Sequence, residues 1–555
     1  MQAQSSINES KIIVEPQHAA NRSSALIAIL AASAFAFFFG LGRLGFLGPD
    51  EPRYAEVARE MFVSGDYIST RLCGCLWFEK PALLYWLSAI GYRFFGVNEL
   101  AARLPSAVAA LMTVLVLYGT LHRFRFGRLA ASASLVLATS GIFIAYAHVA
   151  VPDMILTAAT TAALLAAYAA STATGRARPA YWAASFGFMG LGVLAKGLVG
   201  IVLVLAIIAA YFLLTKQLKQ VRSRDLVLGL AVFLVVAASW YAPVTMKHGW
   251  SFIEEFFIRH HFQRYTSNEF GHPQPIFFFP LVALAGAAPW TFLLVPAIAR
   301  VRSLRLRDNA RDSLLALAWI WVAVPLIFFS FSESKLPGYI VPISPALAVI
   351  IGVEIESFWR GDRRRTLNAA LWLTALTVIG MSVALVVYSR REAPDISGFP
   401  VTLEYLPLAI AVGSIVALAA NRRRAFVAGA AGVVTAIILS SVILLFPPLS
   451  DEVSMKSLSL EAAAALRPGE KIGFYLKKEF APVFYAEGRV LCEPRRGGTF
   501  YALHEQMLYE ALETEKSMIV ITKPNWVEGL KSDPRFSTEL IAAQGDSLAF
   551  RVALK

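Results

Sequence analysis

The feature that most restricts this chain is an alternation of long apolar runs with short arginine clusters, sustained from about residue 24 to residue 446. Apolar runs lie at 24–47, 104–121, 129–150, 154–171, 180–195, 197–215, 226–243, 276–298, 313–331, 340–357, 367–388, 404–420 and 425–446, thirteen in all. Each is read against the ~20 residues that a helix needs to cross a bilayer. Backbone N–H and C=O groups cannot stay unpaired in hydrocarbon, so runs of this length are expected as helices. Composition agrees: 57% of residues are hydrophobic and only 16% charged, where soluble domains carry about 25% charged residues. The expected fold class is a polytopic α-helical membrane protein.

Charge parity orders the runs. The stretch 81–97 is also apolar, but it is short and carries Arg93. If it does not cross, the clusters at Arg123/Arg125/Arg128, Arg176/Arg178, Lys216 to Arg224, Arg300 to Arg311, Arg360 to Arg365 and Arg422 to Arg424 all fall on one side. Basic loops mark the cytoplasmic face. So 81–97 is expected to lie along the interface as an amphipathic helix, with its Tyr and Trp at headgroup level. The net charge of +13 is then explained by these loops, and no nucleic-acid partner is expected. The first 22 residues are polar and lack an apolar core, so the run at 24–47 is expected to stay as an anchor.

With a cytoplasmic amino terminus, the outer side receives 48–103, the turn at Pro152-Asp153, the turn at Lys196, 244–275, 332–339, 389–403 and everything after 446. After 446 the apolar character ends. Strand-like runs (471–476, 517–522, 547–553) and a helix-like run (504–514) read as a small α/β domain spanning 447–555, beside a transmembrane domain spanning 1–446. Cys73, Cys75 and Cys492 can supply one bridge and a leftover thiol if all three face an oxidising compartment.

The outer segments hold unusual charges. Residues 48–60 place Asp50, Glu51, Arg53, Tyr54, Glu56, Arg59 and Glu60 directly after the first run. Pro49 and Pro52 set the turn, and Arg53 with Val57 and Glu56 with Glu60 share faces of the helix that follows. A solvated interfacial helix is the plain alternative. Lys196 interrupts an apolar stretch at an outer end, against the trend for basic residues, and a snorkelling lysine is its plain alternative. Asp153 follows Pro152 in a very short turn, where a helix N-cap is the plain alternative. Glu79-Lys80-Pro81 and Ser332 to Tyr339 repeat the pattern, and 244–275 adds Glu254, Glu255, Arg259, His260, His261, Arg264 and Tyr265. A divalent metal such as zinc, held by Glu79 and His260, is a candidate, although neighbouring histidines are more often simply exposed. Cations suit phosphate and carboxylates suit sugar hydroxyls or amines, so an outward cavity for a phosphorylated lipid is the physical inference.

These residues resemble a known family. The Asp-Glu pair at 50–51, the Phe-Glu-Lys-Pro block at 78–81, Asp153 and the Ser-Lys-Leu-Pro-Gly-Tyr block at 334–339 resemble the GT-C membrane glycosyltransferases that use polyprenyl-phosphate sugars. The forms at Asp50 to Glu56 and Ser334 to Tyr339 are similar to the bacterial lipid A aminoarabinose transferases. That resemblance implies about thirteen transmembrane helices, periplasmic interfacial helices within the 48–103 catalytic loop, and a carboxy-terminal periplasmic domain in the inner membrane's outer compartment. It implies an undecaprenyl-phosphate aminoarabinose donor, a lipid A acceptor, a monomer and no required cofactor. Asp50 and Asp153, with Glu51 beside them, are expected to flank the reacting sugar. Arg53, Lys80, Lys196, Arg264 and Tyr339 are expected to hold phosphate, and Tyr54, Glu79, Tyr85 and Lys335 to complete the cavity. A mannosyltransferase of the same fold and a lipid-headgroup transporter are the alternatives. Against the transporter, the unusual charges gather on one face, and no paired broken helices or internal repeat stand out.

Overall fold

The computed structural model describes residues 17–218, 221–263, 273–304, 310–392, 402–477, 479–493 and 499–555. Helix occupies part or all of every one of the thirteen apolar runs. Among the described residues, seven helices are long and apolar enough to cross a membrane, or nine if each of two bent pairs counts as one span. The difference from thirteen has a physical cause. Gly127–Ala138 and Gly141–Ala147 meet at 63°, Phe278–Gly286 and Thr291–Val301 meet at 112°, and the apolar helices Leu26–Phe38, Val199–Leu214 and Leu403–Ala419 fall in the shorter class, while the remaining run, 180–195, is helical over Ala177–Lys196 but is not among the nine.

In chain order the first helices are α1 (Gln17–Phe38), α2 (Asp50–Ser64), α3 (Leu83–Phe95), α4 (Glu99–Arg123), α5 (Gly127–Ala138), α6 (Gly141–Ala147), α7 (Asp153–Thr172), α8 (Ala177–Lys196), α9 (Val199–Leu214) and α10 (Ser223–His248). The hairpin β1 (Arg71–Leu72) and β2 (Cys75–Leu76) lies between α2 and α3. α7 is rich in Ala and Thr and almost wholly buried, because small side chains let α4 and α8 approach it closely. Its first residue is Asp153. At 13 residues α3 is too short to cross. It buries Leu84, Tyr85, Ser88, Gly91 and Tyr92 and leaves Ile90, Phe94 and Phe95 outside, an amphipathic helix as its sequence predicts.

The loop from 65 to 80 is pinned to the end of α10. Lys247 Nζ donates to Asp66 at 2.8 Å, the Trp240 indole donates to the Ile68 carbonyl at 3.0 Å, and Ser69 meets His248 at 2.9 Å. Phe78, Trp240, Phe252 and Phe256 form a small apolar cluster beneath it. These contacts place Glu79 and Lys80 at the mouth of the helical bundle.

Near the carboxy end, β3 (Ile472–Tyr475), β4 (Tyr501–Ala502), β5 (Ser517–Thr522), β6 (Phe536–Gln544) and β7 (Ser547–Leu554) form a mixed sheet in the order β4-β3-β5-β7-β6. β3 is parallel to β4 and β5, and β7 is antiparallel to β5 and β6. The three strand-like runs and the helix Glu505–Glu515 fall where the sequence predicts; β4 and β6 are additional. One sheet face, through Ile472, Phe474, Ile519 and Ile521, is continuous with the core of the helical bundle. The other face packs Tyr475, Met518, Val520 and Phe550 against Leu508, Leu512 and Val527, the period-two alternation of a strand buried on both sides.

Candidate active site

Asp50 and Glu51 are adjacent at the start of α2 and have opposite surroundings. Arg103 of α4 grips Glu51 with Nε and Nη2, both at 2.9 Å, while the backbone N–H groups of Leu47 and Ala150 donate to it at 2.8 and 2.7 Å. Both oxygens are therefore saturated, and the side chain is 1% exposed. Arg103 spends its remaining donors on the carbonyls of Leu41, Leu44 and Gly45. The pair ties the turn after α1 to α4 and to the entry of α7. Glu51 borders the cavity, but its geometry is that of a positioning residue rather than of a reacting carboxylate.

Asp50 is 39% exposed and pairs with the Arg53 guanidinium one helical turn on. Arg53 also donates through Nε to the Pro49 carbonyl at 2.9 Å and lies 3.5 Å from Glu79. Lys80 Nζ donates to Glu79 at 2.9 Å. Across the cavity, Lys196 Nζ at the end of α8 donates to Asp153 at 2.5 Å and sits 5.0 Å from the centre of the Tyr339 ring. Lys196 and Asp153 therefore find each other although 43 residues separate them. Neither is a plain snorkelling lysine or helix cap.

These groups edge a cavity of about 700 Å³, lined on its polar side by Asp50, Tyr54, Glu79, Lys80, Asp153, Lys196 and Tyr339. Its other side is apolar, with Leu156, Val199, Val202, Leu203, Phe328 and Phe329. A row of ion pairs facing an aliphatic wall suits an amphiphile with a charged head and a hydrocarbon tail. Gly338 closes the polar side. A Cβ there would meet Asp153 Oδ1 at 2.5 Å and the Tyr146 hydroxyl at 2.9 Å, so the glycine in the 334–339 block is required by close approach.

The remaining sequence-predicted residues fall as follows. Tyr85 packs 6.2 Å from the Tyr54 ring, and its buried hydroxyl has no hydrogen-bond partner among the described residues. It backs the wall rather than lining the cavity. Burial pushes both phenols above their usual range, so both are neutral hydroxyls. Lys335 is buried and turns its ammonium back onto the Ser332 carbonyl at 2.6 Å. It shapes the turn instead of facing the cavity. Arg264 and the His260 side chain lie outside the described residues. Among the described residues no three His, Cys, Asp or Glu side chains converge on a common point. Glu79 sits beside two cations, Arg53 and Lys80, a setting that opposes a dication.

Comparison with known proteins bears on this geometry. Residues 79–242 match the family described as dolichyl-phosphate-mannose-protein mannosyltransferase. The chain is 28% identical over 69% of its length to undecaprenyl phosphate-alpha-4-amino-4-deoxy-L-arabinose arabinosyl transferase 1 of Pseudomonas fluorescens (strain Pf0-1), covering 67% of that protein. It is 31% identical over 60% of its length to the corresponding transferase of Pseudomonas paraeruginosa (strain PA7), covering 60% of that relative's own length. The fold extends further than these alignments. It is similar to the crystal structure of ArnT from Cupriavidus metallidurans bound to undecaprenyl phosphate, with a TM-score of 0.77, 26% identity, and coverage of 95% of this chain and 98% of that one. The chain has the fold of the GT-C membrane glycosyltransferases, and the aminoarabinose transferases are its relatives.

Several parts of the site are hard to read from the sequence. Arg103 lies at the start of an apolar run, where a lone arginine was a signal of a buried partner. Tyr146 and the aliphatic wall give no such sign, because residues that face a cavity and residues that face a core have the same composition. The free cysteine is Cys73; Cys75 is bonded to Cys492.

Proposed function

We propose that the chain transfers 4-amino-4-deoxy-L-arabinose from undecaprenyl phosphate to lipid A phosphate groups at the periplasmic face of the bacterial inner membrane. On this reading the chain crosses thirteen times, 81–97 lies in the interface, residues 447–555 form a periplasmic domain, and the enzyme acts as a monomer without a required metal. The product carries an ammonium where lipid A had a bare phosphate. That lowers the attraction of the outer surface for cationic peptides such as polymyxin.

The observation that carries this reading is the balance of charge along the cavity. Among the described residues, Arg53, Lys80 and Lys196 are balanced by Asp50, Glu79 and Asp153. An aminosugar joined to a lipid phosphate is a zwitterion, one phosphodiester anion and one ammonium. A neutral row of pairs can exchange partners with it: cations turn to the phosphate, and a released carboxylate turns to the ammonium. A neutral hexose donor would leave that carboxylate buried without its cation.

In the transfer, the bond between the sugar C1 and the donor phosphate oxygen breaks with its electrons on oxygen, and an acceptor phosphate oxygen bonds C1. Lys80 and Lys196 stabilise the leaving phosphate as charge develops. The acceptor is already ionised, so no strong base is needed, and Asp50 pairs with the donor's ammonium. Asp50→Asn keeps the shape and removes the attraction. Its affinity for the aminosugar donor is expected to fall while that for bare undecaprenyl phosphate changes little. Unchanged donor affinity in an inactive Asp50→Asn enzyme makes Asp50 a base and favours an acceptor hydroxyl. The overall reading is tested by mass spectrometry of lipid A from cells with and without the gene. A pentose-amine increment on phosphate is expected; a hexose on protein, as the matched family description implies, overturns it.

A further inference from the structure

The residues that follow β3 wrap around α2 from the far end of the chain. Arg59 of α2 donates to the Glu487 carbonyl at 2.8 Å. Gly488 has φ +74°, and a Cβ there would lie 2.6 Å from Glu56 Oε1, so the segment sits directly on the helix. The Tyr485 hydroxyl donates to Glu99 at 2.9 Å and accepts from the Phe46 N–H at 3.0 Å, while Phe484 meets the Phe46 ring edge-on at 4.8 Å. Beyond them Cys492 is disulfide-bonded to Cys75, in the strand that leads to Trp77 and Glu79.

This segment delivers Phe480 to the Arg53 guanidinium. Cζ lies 4.7 Å from the Phe480 ring centre, closer than Trp77 at 5.8 Å or Tyr54 at 6.0 Å. The polar edge of Arg53 is occupied by Pro49, Asp50 and Glu79, so its flat face is what remains to be packed. A guanidinium is weakly hydrated and stacks on aromatic faces, which fix its plane where hydrogen bonds alone leave it free to tilt.

We propose that Phe480 is a positioning residue for the transfer reaction, holding Arg53 in register with Asp50 and Glu79, and that the Cys75–Cys492 bond keeps it seated. The proposal rests on the reading of the cavity as a lipid-phosphate site. It makes the carboxy-terminal region part of the catalytic unit and makes donor affinity sensitive to thiol reductants. A dithiol delivers two electrons and two protons: the sulfur–sulfur bond breaks, Cys75 and Cys492 become thiols, and the dithiol closes to its own disulfide.

The test measures undecaprenyl phosphate binding to the purified full-length protein. Phe480→Leu, which keeps bulk and removes the aromatic face, is expected to weaken binding about three- to tenfold with an unchanged melting temperature. Phe480→Trp is expected to restore it, and the Phe480→Leu loss should shrink in an Arg53→Lys background. Dithiothreitol is expected to weaken wild-type binding in the same direction. Wild-type-like binding by Phe480→Leu, or equal loss in Phe480→Trp, overturns the proposal while leaving the donor reading intact. Failure of the wild-type protein to bind undecaprenyl phosphate overturns both.

Discussion

The helical segment Pro337–Trp359 has ionic chemistry at both ends. At its start, Gly338 and Tyr339 face the cavity beside Asp153 and Lys196. At its far end, Glu354 takes Arg300 at 2.7 Å and Arg364 at 2.5 Å, and Glu356 takes Arg311 at 2.6 Å and Arg360 at 2.5 Å. Both ends use short carboxylate–cation pairs. At the far end each carboxylate is gripped by two arginines, whose positive charge also complements the helix C-terminus. At the start Lys196 and Asp153 pair with each other and both border the cavity. Buried ion pairs alone therefore do not mark a site; pairs that border a void do, because only they can change partners.

The comparison breaks most visibly at the far end. Glu354 is fully buried, and removing it leaves two arginines without their shared partner. Breaking a buried pair costs roughly 3–5 kcal/mol, and because Arg300 and Arg364 are 29% and 35% exposed, the lower end is expected. Glu354→Ala should therefore purify poorly or melt well below wild type, while the molecules that remain folded keep the wild-type KM for donor. A normal melting temperature would show that this network is not structural.

At the cavity end the expected loss is in transfer. On the proposed reading Lys196→Ala removes a charge-assisted contact to donor phosphate, about 1.5–3 kcal/mol, so kcat/KM should fall ten- to hundredfold. Its melting temperature should drop less than that of Glu354→Ala, since Asp153 borders the cavity and can take up water. Wild-type turnover in Lys196→Ala would remove the distinction between the two ends.

The sequence makes some of this contrast legible and hides the rest. Asp153 and Lys196 stand out because a single charge in an apolar run needs a partner or a purpose, and parity places both on one side. Asp50 and Glu51 cannot be separated that way. They have the same chemistry and neighbouring positions, and only Arg103, 52 residues from Glu51, makes one of them structural. Phe480 is hidden for a related reason: its contact with Arg53 joins distant parts of the chain and leaves no local period. The helices are legible because the bilayer imposes length and polarity on them. The bends at 63° and 112° are set by packing and are not.

A third kind of pair sharpens the comparison at its weak limit. Asp66 and Lys247 lie outside the membrane helices' interior, 2.8 Å apart, with side chains 24% and 44% exposed. Partial burial of Asp66 works against its charge, but the Lys247 ammonium and the N–H groups of Ser69 and Ile68 outweigh it and hold the carboxyl well below its usual range. A carboxyl with a depressed folded-state pKa contributes stability that is present above its unfolded value of ~4 and lost as the pH falls below it. Solvent screens so exposed a pair, so the contribution should be under ~1 kcal/mol. Thermal melting between neutral pH and about pH 3 is the measurement. Wild type should lose slightly more stability on acidification below pH ~4 than Asp66→Asn, which has no proton to bind there. Equal acid sensitivity would assign the loss to other carboxylates. A larger difference than that would mean that the loop from 65 to 80, and with it Glu79 and Lys80, depends on this pair as strongly as the far end depends on Glu354.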